Sequence, residues 1–105
     1  MLGITFKENC PDIRNTKAID IYNELVEYGI AVDVYDPWAN QSEVKHEYQI
    51  DTITTYPEND GYNAIILAVA HKEFKNIDLQ EHKKMGCVIY DVKSLFCDED
   101  VDARL

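Results

Sequence analysis

Positive charge is scarce in this sequence of 105 residues. Ten Lys and Arg side chains stand against twenty Asp and Glu side chains, which gives a formal net charge of -10. This deficit argues against a broad nucleic-acid footprint and against an anionic membrane surface as partner. An anionic ligand would have to meet cations that are gathered locally, against a repulsive background field. Each Lys or Arg at a candidate site is therefore informative.

Long apolar runs and cysteine frameworks are also missing. No run approaches the roughly 20 residues that span a bilayer, and no basic leader with a cleavage site opens the sequence. Cys10, Cys87 and Cys97 form an odd set without CxxC spacing, which argues against a disulfide framework and against a metal site. We expect one globular domain over residues 1–105, with reduced thiols and a cytoplasmic location.

The first third of the chain has the pattern of a strand, a helix and a second strand. Residues 2–6 are apolar, β-branched or aromatic, which is typical of a buried strand. Apolar positions in 18–28 recur every three or four residues, and Gly29 follows at a position suited to end a helix. Residues 30–35 form a second apolar run that stops before Pro37. Together these elements predict a βαβ unit.

Residues 40–60 leave several alternatives open. Ser42 is suited to cap a short helix, and residues 48–54 alternate like an edge strand. Residues 57–61 are rich in turn formers. The pattern does not decide between these structures.

The second half of the chain repeats the strand and helix alternation. Residues 63–70 contain an unbroken apolar run typical of a central parallel strand. A short helix over 78–84 and another strand over 87–90 follow. The order predicts an α/β fold, a Rossmann-like doubly wound, mainly parallel sheet in a three-layer α/β/α arrangement.

Polar side chains follow every predicted strand. In open α/β sheets, ligands bind beyond the carboxyl ends of the strands, where these side chains would converge. Loops are polar in most proteins, so a simple surface role remains an alternative for each of them. The residues concerned are Lys7, Glu8, Asn9, Asp12, Arg14, Asp36, Trp38, His71, Lys72, Asp91 and Lys93.

The first loop lacks the GxGxxG pattern that cradles a pyrophosphate, so we expect no conventional NAD site within this chain. Phosphate could instead be held by Lys7 as a point charge and by Arg14 as a planar, two-pronged donor. Cys10 lies in the same loop and invites interpretation as a nucleophile. No histidine is near it in sequence, so a small filler residue is the favoured alternative. Trp38 could stack on a base or cover a strand end.

Four segments in order resemble the C-terminal domain of the UDP-glucose/GDP-mannose dehydrogenase family. They are GITFKENCPDIRNTKAIDIYNEL, VDVYDPWA, AIILAVAHKEF and VIYDVKSLF, and they extend from Gly3 to Phe96. The sequences of residues 9–16 and 70–74 are most similar to the branch that oxidises UDP-N-acetylhexosamines for surface polysaccharides. A UDP-glucose or GDP-mannose 6-dehydrogenase domain is the alternative within the family.

The resemblance implies that the chain is one part of a larger NAD-dependent enzyme. Such enzymes have an N-terminal domain that binds most of the NAD, a central dimerisation domain, and a C-terminal domain for the nucleotide of the UDP-sugar. They oxidise a sugar C6 alcohol to a carboxylate through a cysteine-linked thiohemiacetal and thioester. The catalytic residues lie upstream, so this chain alone is expected to be inactive and Cys10 does not inherit the role. The full-length enzyme is expected to be a homo-oligomer.

The resemblance also implies roles for individual residues of the first loop. Lys7 matches the lysine of the family's FK pair, which reaches the substrate. Arg14 matches the arginine of a DxR motif on the NAD side of the cleft, and Asp12 would orient the loop.

The last strand carries a second substrate-binding candidate, Lys93, with Asp91 as its supporting residue. Many family members have glycine and arginine after this aspartate, whereas here Val92 and Lys93 take their places. Lysine cannot make the two-pronged phosphate contact of arginine, so only a point-charge contact is expected.

Two interpretations that assign the chain to other classes of protein compete with a nucleotide-binding domain. A module that packs against other domains or subunits would need an exposed apolar patch at the strand ends. A receiver-like signalling domain would need acidic residues directly after the first strand to hold Mg²⁺, and Phe6 and Lys7 occupy that place.

Overall fold

The computed structural model describes residues 1–57 and 61–104 of the chain. Short helices alternate with short strands along most of this length. The elements are α1 (Ala18–Glu27), β1 (Val34–Tyr35), α2 (Gln41–Tyr48), β2 (Thr52–Ile53), β3 (Ala64–Leu67), a 3-10 helix (Lys72–Asn76), α3 (Leu79–Lys84), β4 (Val88–Asp91), a second 3-10 helix (Asp98–Asp100) and β5 (Ala103–Arg104). None of the helices in the described ranges is long and apolar enough to cross a membrane.

All strands are parallel, and one residue joins the two halves of the sheet. Leu2 makes parallel bridges to Tyr35 in β1 and to Leu67 in β3. β2 pairs with β1 on one side, and β4 pairs with β3 and β5 on the other. With Leu2 counted as the first strand, the spatial order is 3-2-1-4-5-6, the Rossmann order. The predicted fold class is confirmed.

The first strand is much shorter than the sequence predicts. The expected strand over residues 2–6 pairs only at Leu2, because Gly3 has a φ of 93° and turns the chain out of the sheet. The Gly3 N–H still donates to the carbonyl oxygen of Tyr35 at 3.0 Å. A Cβ on Gly3 would lie 2.5 Å from the Cβ of Val69, so the loop that leaves β3 passes directly against Gly3. Glycine is required here by both conformation and space.

α1 agrees with its prediction and explains why the second strand starts late. Gly29 has a φ of 80°. Its N–H donates to the Val26 carbonyl at 2.9 Å, and the N–H of Ile30 donates to the Leu25 carbonyl at 3.1 Å. This is a Schellman ending. The residues after it lead into the sheet in irregular conformation, so β1 begins at Val34 rather than at residue 30.

The ambiguous segment 40–60 contains both of the predicted elements. The side chain of Asn40, and not that of Ser42, caps α2 by accepting a hydrogen bond from the Glu43 N–H at 3.0 Å. β2 lies inside the expected edge strand and pairs with β1. Residues 58–60 of the expected turn lie outside the described residues.

The core is divided by the sheet into two layers. On one face Leu2, Leu67 and Ile89 pack with Leu79 of α3 and Phe74 of the first 3-10 helix. On the other face the strands pack against α1 and α2. The buried residues of that side are Ile4, Ile13, Ala18, Val34, Ala39, Val44, Ile50, Ala68 and Val69. The arrangement has the predicted three layers, and the edge strand β5 was not foreseen.

Candidate functional site

Four loops leave the same edge of the sheet. Because every strand is parallel, the loops after Leu2, β1, β3 and β4 all begin at the carboxyl edge. Leu2 and β3 are neighbours, and from them the chain winds in opposite directions. In this topology, the position between them is the usual place for a ligand.

Asp36, the residue directly after β1, anchors two of these loops. Its side chain is fully buried. Oδ2 accepts hydrogen bonds from the N–H groups of Ile4 at 2.7 Å and Thr5 at 3.2 Å. Oδ1 accepts from the N–H groups of Trp38 at 2.7 Å and Ala39 at 3.1 Å. The Asp36 carboxylate therefore fixes the start of the loop after Leu2 relative to the loop after β1.

His71 connects this carboxylate to the loop after β3. Its buried ring lies with Nε2 3.0 Å from Asp36 Oδ2 and 3.1 Å from Thr5 Oγ1. Nδ1 accepts a hydrogen bond from the Asn9 N–H at 3.0 Å. Since a backbone N–H can only donate, the ring proton is assigned to Nε2, which faces Asp36.

The electrostatics of Asp36 follow from these donors. Burial alone would raise the pKa of this carboxyl, because it disfavours the charged form. The hydrogen bonds from His71 and from the N–H groups of Ile4 and Trp38 outweigh burial, and the pKa of Asp36 is lowered. Asp36 is therefore an ionised structural centre of the edge.

Trp38 covers this buried pair from outside. Its ring stacks on that of His71, with centroids 6.0 Å apart and planes inclined by 25°. Its Nε1–H donates to Glu73 Oε1 at 2.9 Å. The structure therefore gives Trp38 the covering arrangement that the sequence left open beside base stacking.

Lys7 lies in the loop after Leu2 with an exposed side chain. Within residues 1–57 and 61–104 its ammonium group forms no ion pair. Its main-chain carbonyl accepts a hydrogen bond from the Thr5 hydroxyl at 3.1 Å, so the backbone is held while the charge faces outward. Phe6 beside it is 53% exposed.

Arg14 is already engaged by Asp12. Its Nε and Nη2 donate to the two carboxylate oxygens of Asp12 at 3.0 and 2.9 Å. The side-chain hydrogen bonds from Arg14 hold the pKa of Asp12 at about 2. The carbonyl of Asp12 also accepts from the Phe6 N–H at 2.7 Å. The pair lines a hollow of about 350 Å³ with Glu43 and Glu47 of α2, and another of about 310 Å³ with Phe6.

Asp91 shapes the loop that contains Lys93. The Asp91 side chain is fully buried at the end of β4. Its Oδ1 accepts from the Lys93 N–H at 2.9 Å, and its Oδ2 accepts from the Phe96 N–H at 2.8 Å. Lys93 itself is exposed and, among the described residues, forms no ion pair.

The predicted site residues thus fall into two groups. Lys7 and Lys93 leave from strands on either side of β3, and two strand spacings separate those origins by about 10 Å. Arg14 belongs to the other group, because its guanidinium is paired with Asp12. Cys10 remains a free, half-buried thiol, and both ring nitrogens of His71 bond to other partners.

The sequence places Asp36 and His71 at predicted strand ends but does not indicate that they bind each other. Their contacts join positions 35 residues apart, which no periodicity links. The available signal was a polar residue at each strand end, beside Thr5 in an otherwise apolar run.

A doubly wound parallel sheet with isolated cations at its carboxyl edge defines a Rossmann-like domain of the nucleotide-binding type. The chain belongs to the UDP-glucose/GDP-mannose dehydrogenase family, and the part that it matches, over residues 1–98, is the UDP binding domain.

Curated relatives and solved structures agree with this assignment. The chain is 50% identical over 108 residues to a UDP-N-acetyl-D-glucosamine 6-dehydrogenase of Pseudomonas aeruginosa, covering 100% of this chain and 25% of that protein. It is 44% identical over 108 residues to the Salmonella typhi protein of the same name, with the same coverage. The UDP-N-acetyl-mannosamine dehydrogenase Cap5O of S. aureus superimposes with a TM-score of 0.72 at 26% identity, over 98% of this chain and 24% of that chain. The chain therefore spans about a quarter of these relatives.

Proposed function

We propose that this chain binds the diphosphate of a UDP-sugar at the carboxyl edge of its sheet, as the C-terminal domain of an NAD-dependent nucleotide-sugar 6-dehydrogenase. The observation that supports this most directly concerns Lys7 and Lys93, which are exposed in loops that follow the first strand and β4. Among the described residues of a chain of net charge -10, neither side chain forms an ion pair. In such a field, unpaired cations at one edge favour an anionic ligand.

Lys7 and Lys93 are the substrate-binding residues of this proposal. Each supplies a compact positive charge to phosphate oxygens, without the two-pronged geometry of arginine. Asp91 supports Lys93 by holding its main-chain N–H. Phe6, exposed next to Lys7, adds an apolar surface for the nucleoside.

Arg14 has the cofactor-side role in this proposal. Asp12 holds its guanidinium through two of the five N–H donors, which leaves the others for a partner. The NAD itself is bound mainly by another domain, since this chain has no glycine-rich phosphate loop.

The substrate class is a UDP-N-acetylhexosamine, oxidised at C6 to a carboxylate in two NAD-dependent steps. Support comes from the two relatives at 50% and 44% identity, both named as UDP-N-acetyl-D-glucosamine 6-dehydrogenases. The catalytic cysteine, the NAD domain and the oligomer contacts belong to the remaining parts of such an enzyme. We place the reaction in the cytoplasm and assign this chain no catalytic residue and no metal.

Calorimetric titration of the chain with UDP tests the proposal, with uridine as the control. We expect weak but measurable UDP binding, because one wall of the cleft is absent, and no binding of uridine at the same concentrations. Equal affinity for both ligands, or heat from neither, would contradict a diphosphate site at this edge.

A second candidate function is packing against another domain or subunit. Exposed apolar residues favour it. Phe6 lies at the carboxyl edge, where such a surface is expected, beside Lys7. α1 and α3 run back from the carboxyl edge, so Val26, Tyr28 and Met85 at their ends lie at the amino edge, as does Val88 at the start of β4. Packing at the amino edge is compatible with the nucleotide site.

A further inference from the structure

The loop that contains Lys7 has no strand neighbour to hold it. After Leu2 the chain leaves the sheet, and residues 3–17 contain no ladder pairing among the described residues. A charge on such a loop would lose conformational freedom whenever it bound a ligand, and that loss weakens affinity. Asp36 holds the start of the loop through the N–H groups of Ile4 and Thr5. Farther along, Thr5, Lys7 and Asn9 are linked, directly or through one another, to a second side chain.

That side chain is His71. Its Nδ1 accepts from the Asn9 N–H at 3.0 Å, and its Nε2 lies 3.1 Å from Thr5 Oγ1. The Thr5 hydroxyl donates in turn to the Lys7 carbonyl at 3.1 Å. Residues on both sides of Lys7 are thus bound to the ring directly, and Lys7 is bound to it through Thr5.

The donors and acceptors of this chain have one consistent assignment. The Thr5 hydroxyl uses its proton for the Lys7 carbonyl, so its oxygen accepts from the Nε2–H of His71. The same N–H is shared with Asp36 Oδ2, and Nδ1 is left as the acceptor for Asn9. His71 has this pattern only as the neutral ring with its proton on Nε2.

A second contact joins the same two loops. Asn9 has a φ of 56°, and its Oδ1 accepts a hydrogen bond from the Lys72 N–H at 2.8 Å. The loop after Leu2 is therefore fastened to the loop after β3 at both the ring and the backbone next to it. Asp36, fully buried beneath the ring, fixes the ring in turn.

We propose that His71 is a positioning residue that presents Lys7 to the anionic ligand, by holding the loop of residues 5–9 from the neighbouring strand. This rests on the proposed function, in which Lys7 binds the diphosphate. His71 touches no ligand itself, because its ring is buried under Trp38. Its contribution is to order the loop before the ligand arrives.

Two substitutions of His71 distinguish the contact made by Nδ1 from the contacts made by Nε2. In His71→Asn, the amide oxygen can take the place of Nδ1 and still accept from the Asn9 N–H. In His71→Gln, the amide nitrogen can take the place of Nε2 and still donate to Asp36, but the Asn9 N–H loses its acceptor. His71→Asn loses the Nε2–H donor that Asp36 and Thr5 share, and His71→Gln loses the acceptor for Asn9, so we expect both variants to lose thermal stability.

Their affinities for UDP are expected to differ. His71→Gln should weaken UDP binding about tenfold, whereas His71→Asn should stay within about threefold of the unmodified chain. Losses of affinity that are equal in the two variants, and that simply follow stability, would overturn the proposal. Full affinity in His71→Gln would overturn it as well.

Thr5 provides a second pair of variants, one that keeps the buried volume and one that keeps the hydroxyl. Thr5→Val removes the hydroxyl that holds the Lys7 carbonyl, and Thr5→Ser keeps it. We expect weaker UDP binding only for Thr5→Val, measured by calorimetry at a temperature where both variants are folded. This pair decides the question if the His71 variants do not fold.

Two further measurements separate this inference from the proposed function. In a Lys7→Ala background, His71→Gln should change UDP affinity less than about twofold, because the charge that it positions is gone. A full His71→Gln effect in that background would overturn the positioning role. Hydrogen exchange of the Asn9 amide reports on the loop without any ligand, and it should be slow in His71→Asn and fast in His71→Gln. If these exchange rates differ while Lys7→Ala binds UDP normally, the loop anchor stands and the proposed function fails.

Discussion

Gly3 and Val69 are so close that a Cβ on Gly3 would lie 2.5 Å from the Cβ of Val69. Gly3 follows the first strand and Val69 follows β3, so the two loops separate at this contact. The Val69 N–H donates to the Leu2 carbonyl at 3.2 Å and continues the pairing past the end of β3. The base of the crevice between the first strand and β3 is therefore tightly packed, and any ligand must lie outside it, among the loop side chains.

Gly3→Ala is expected to destabilise the domain by about 3 kcal/mol, because it adds backbone strain at a φ of 93° to a steric clash with Val69. Urea unfolding measures the loss. Gly86→Ala is the matched control, since Gly86 has a φ of 84° and no atom within 4 Å of an added Cβ. It should cost about 1 kcal/mol from backbone strain alone. Equal losses in the two variants would show that the Val69 contact does not matter.

Asp36→Asn is expected to lower the free energy of unfolding by about 3 kcal/mol at neutral pH, because an amide nitrogen would face N–H donors that now meet a carboxylate oxygen. Chemical denaturation followed by tryptophan fluorescence measures this, since Trp38 is the single tryptophan and its main-chain N–H donates to Asp36.

The same carboxylate makes stability depend on pH. The pKa of Asp36 is lowered in the folded chain, so its contribution is complete above the unfolded value of about 3.9 and is lost as pH falls through the folded value. Unfolding free energy should therefore decline below about pH 4. Asp36→Asn should reduce that decline. Asp12→Asn is the comparison, since the pKa of Asp12 is also low, about 2, and its variant should keep the Asp36 part. An unchanged acid profile in Asp36→Asn would contradict this assignment.

Lys7→Ala is expected to weaken UDP binding about tenfold, as loss of a phosphate contact at an otherwise acidic surface should. Lys84→Ala removes the same charge at the far end of α3, near the amino edge, and should leave the affinity unchanged. Cys10→Ala should also bind normally. A larger effect from Cys10→Ala than from Lys7→Ala would restore the thiol interpretation. Calorimetry at two salt concentrations measures all three variants.

The chain alone should produce no NADH from NAD and a UDP-N-acetylhexosamine, because its sequence contains no glycine-rich dinucleotide loop. The histidine that bonds to Asn9, next to Cys10, also has both ring nitrogens in other hydrogen bonds. Absorbance at the nicotinamide wavelength is the measurement. Sustained turnover that depends on the added sugar nucleotide would contradict the assignment of catalysis to other parts of the enzyme.

Local patterns in the sequence were sufficient to predict α1, α3 and the class of fold. The periodicity of α1 and the glycine after it predict its end to within one residue, since helix endings depend on neighbouring backbone groups. The short helix predicted over 78–84 is α3, and the structure shows Asp78 as its N-cap. Strand alternation with helices was sufficient to predict a parallel sheet, because parallel neighbours need a crossover between them.

Strand length was less predictable. The first strand stops at Leu2, since Gly3 must avoid Val69, and β5 exists because β4 offers it an open edge. Both depend on contacts between distant parts of the chain. No window of sequence contains those contacts.

The sequence by itself determined which residues bear charge, where α1 and α3 lie, and that the chain is a parallel α/β domain. These properties depend on side-chain chemistry and on hydrogen bonds between near neighbours. Only the tertiary structure decided that the Arg14–Asp12 pair lies beside Glu43 and Glu47 of α2, while Lys7 and Lys93 stay unpaired among the described residues. It also decided that His71 reaches across to Asp36 and Asn9. Those outcomes depend on which strands become neighbours, because that order alone brings the loops of distant segments to one edge.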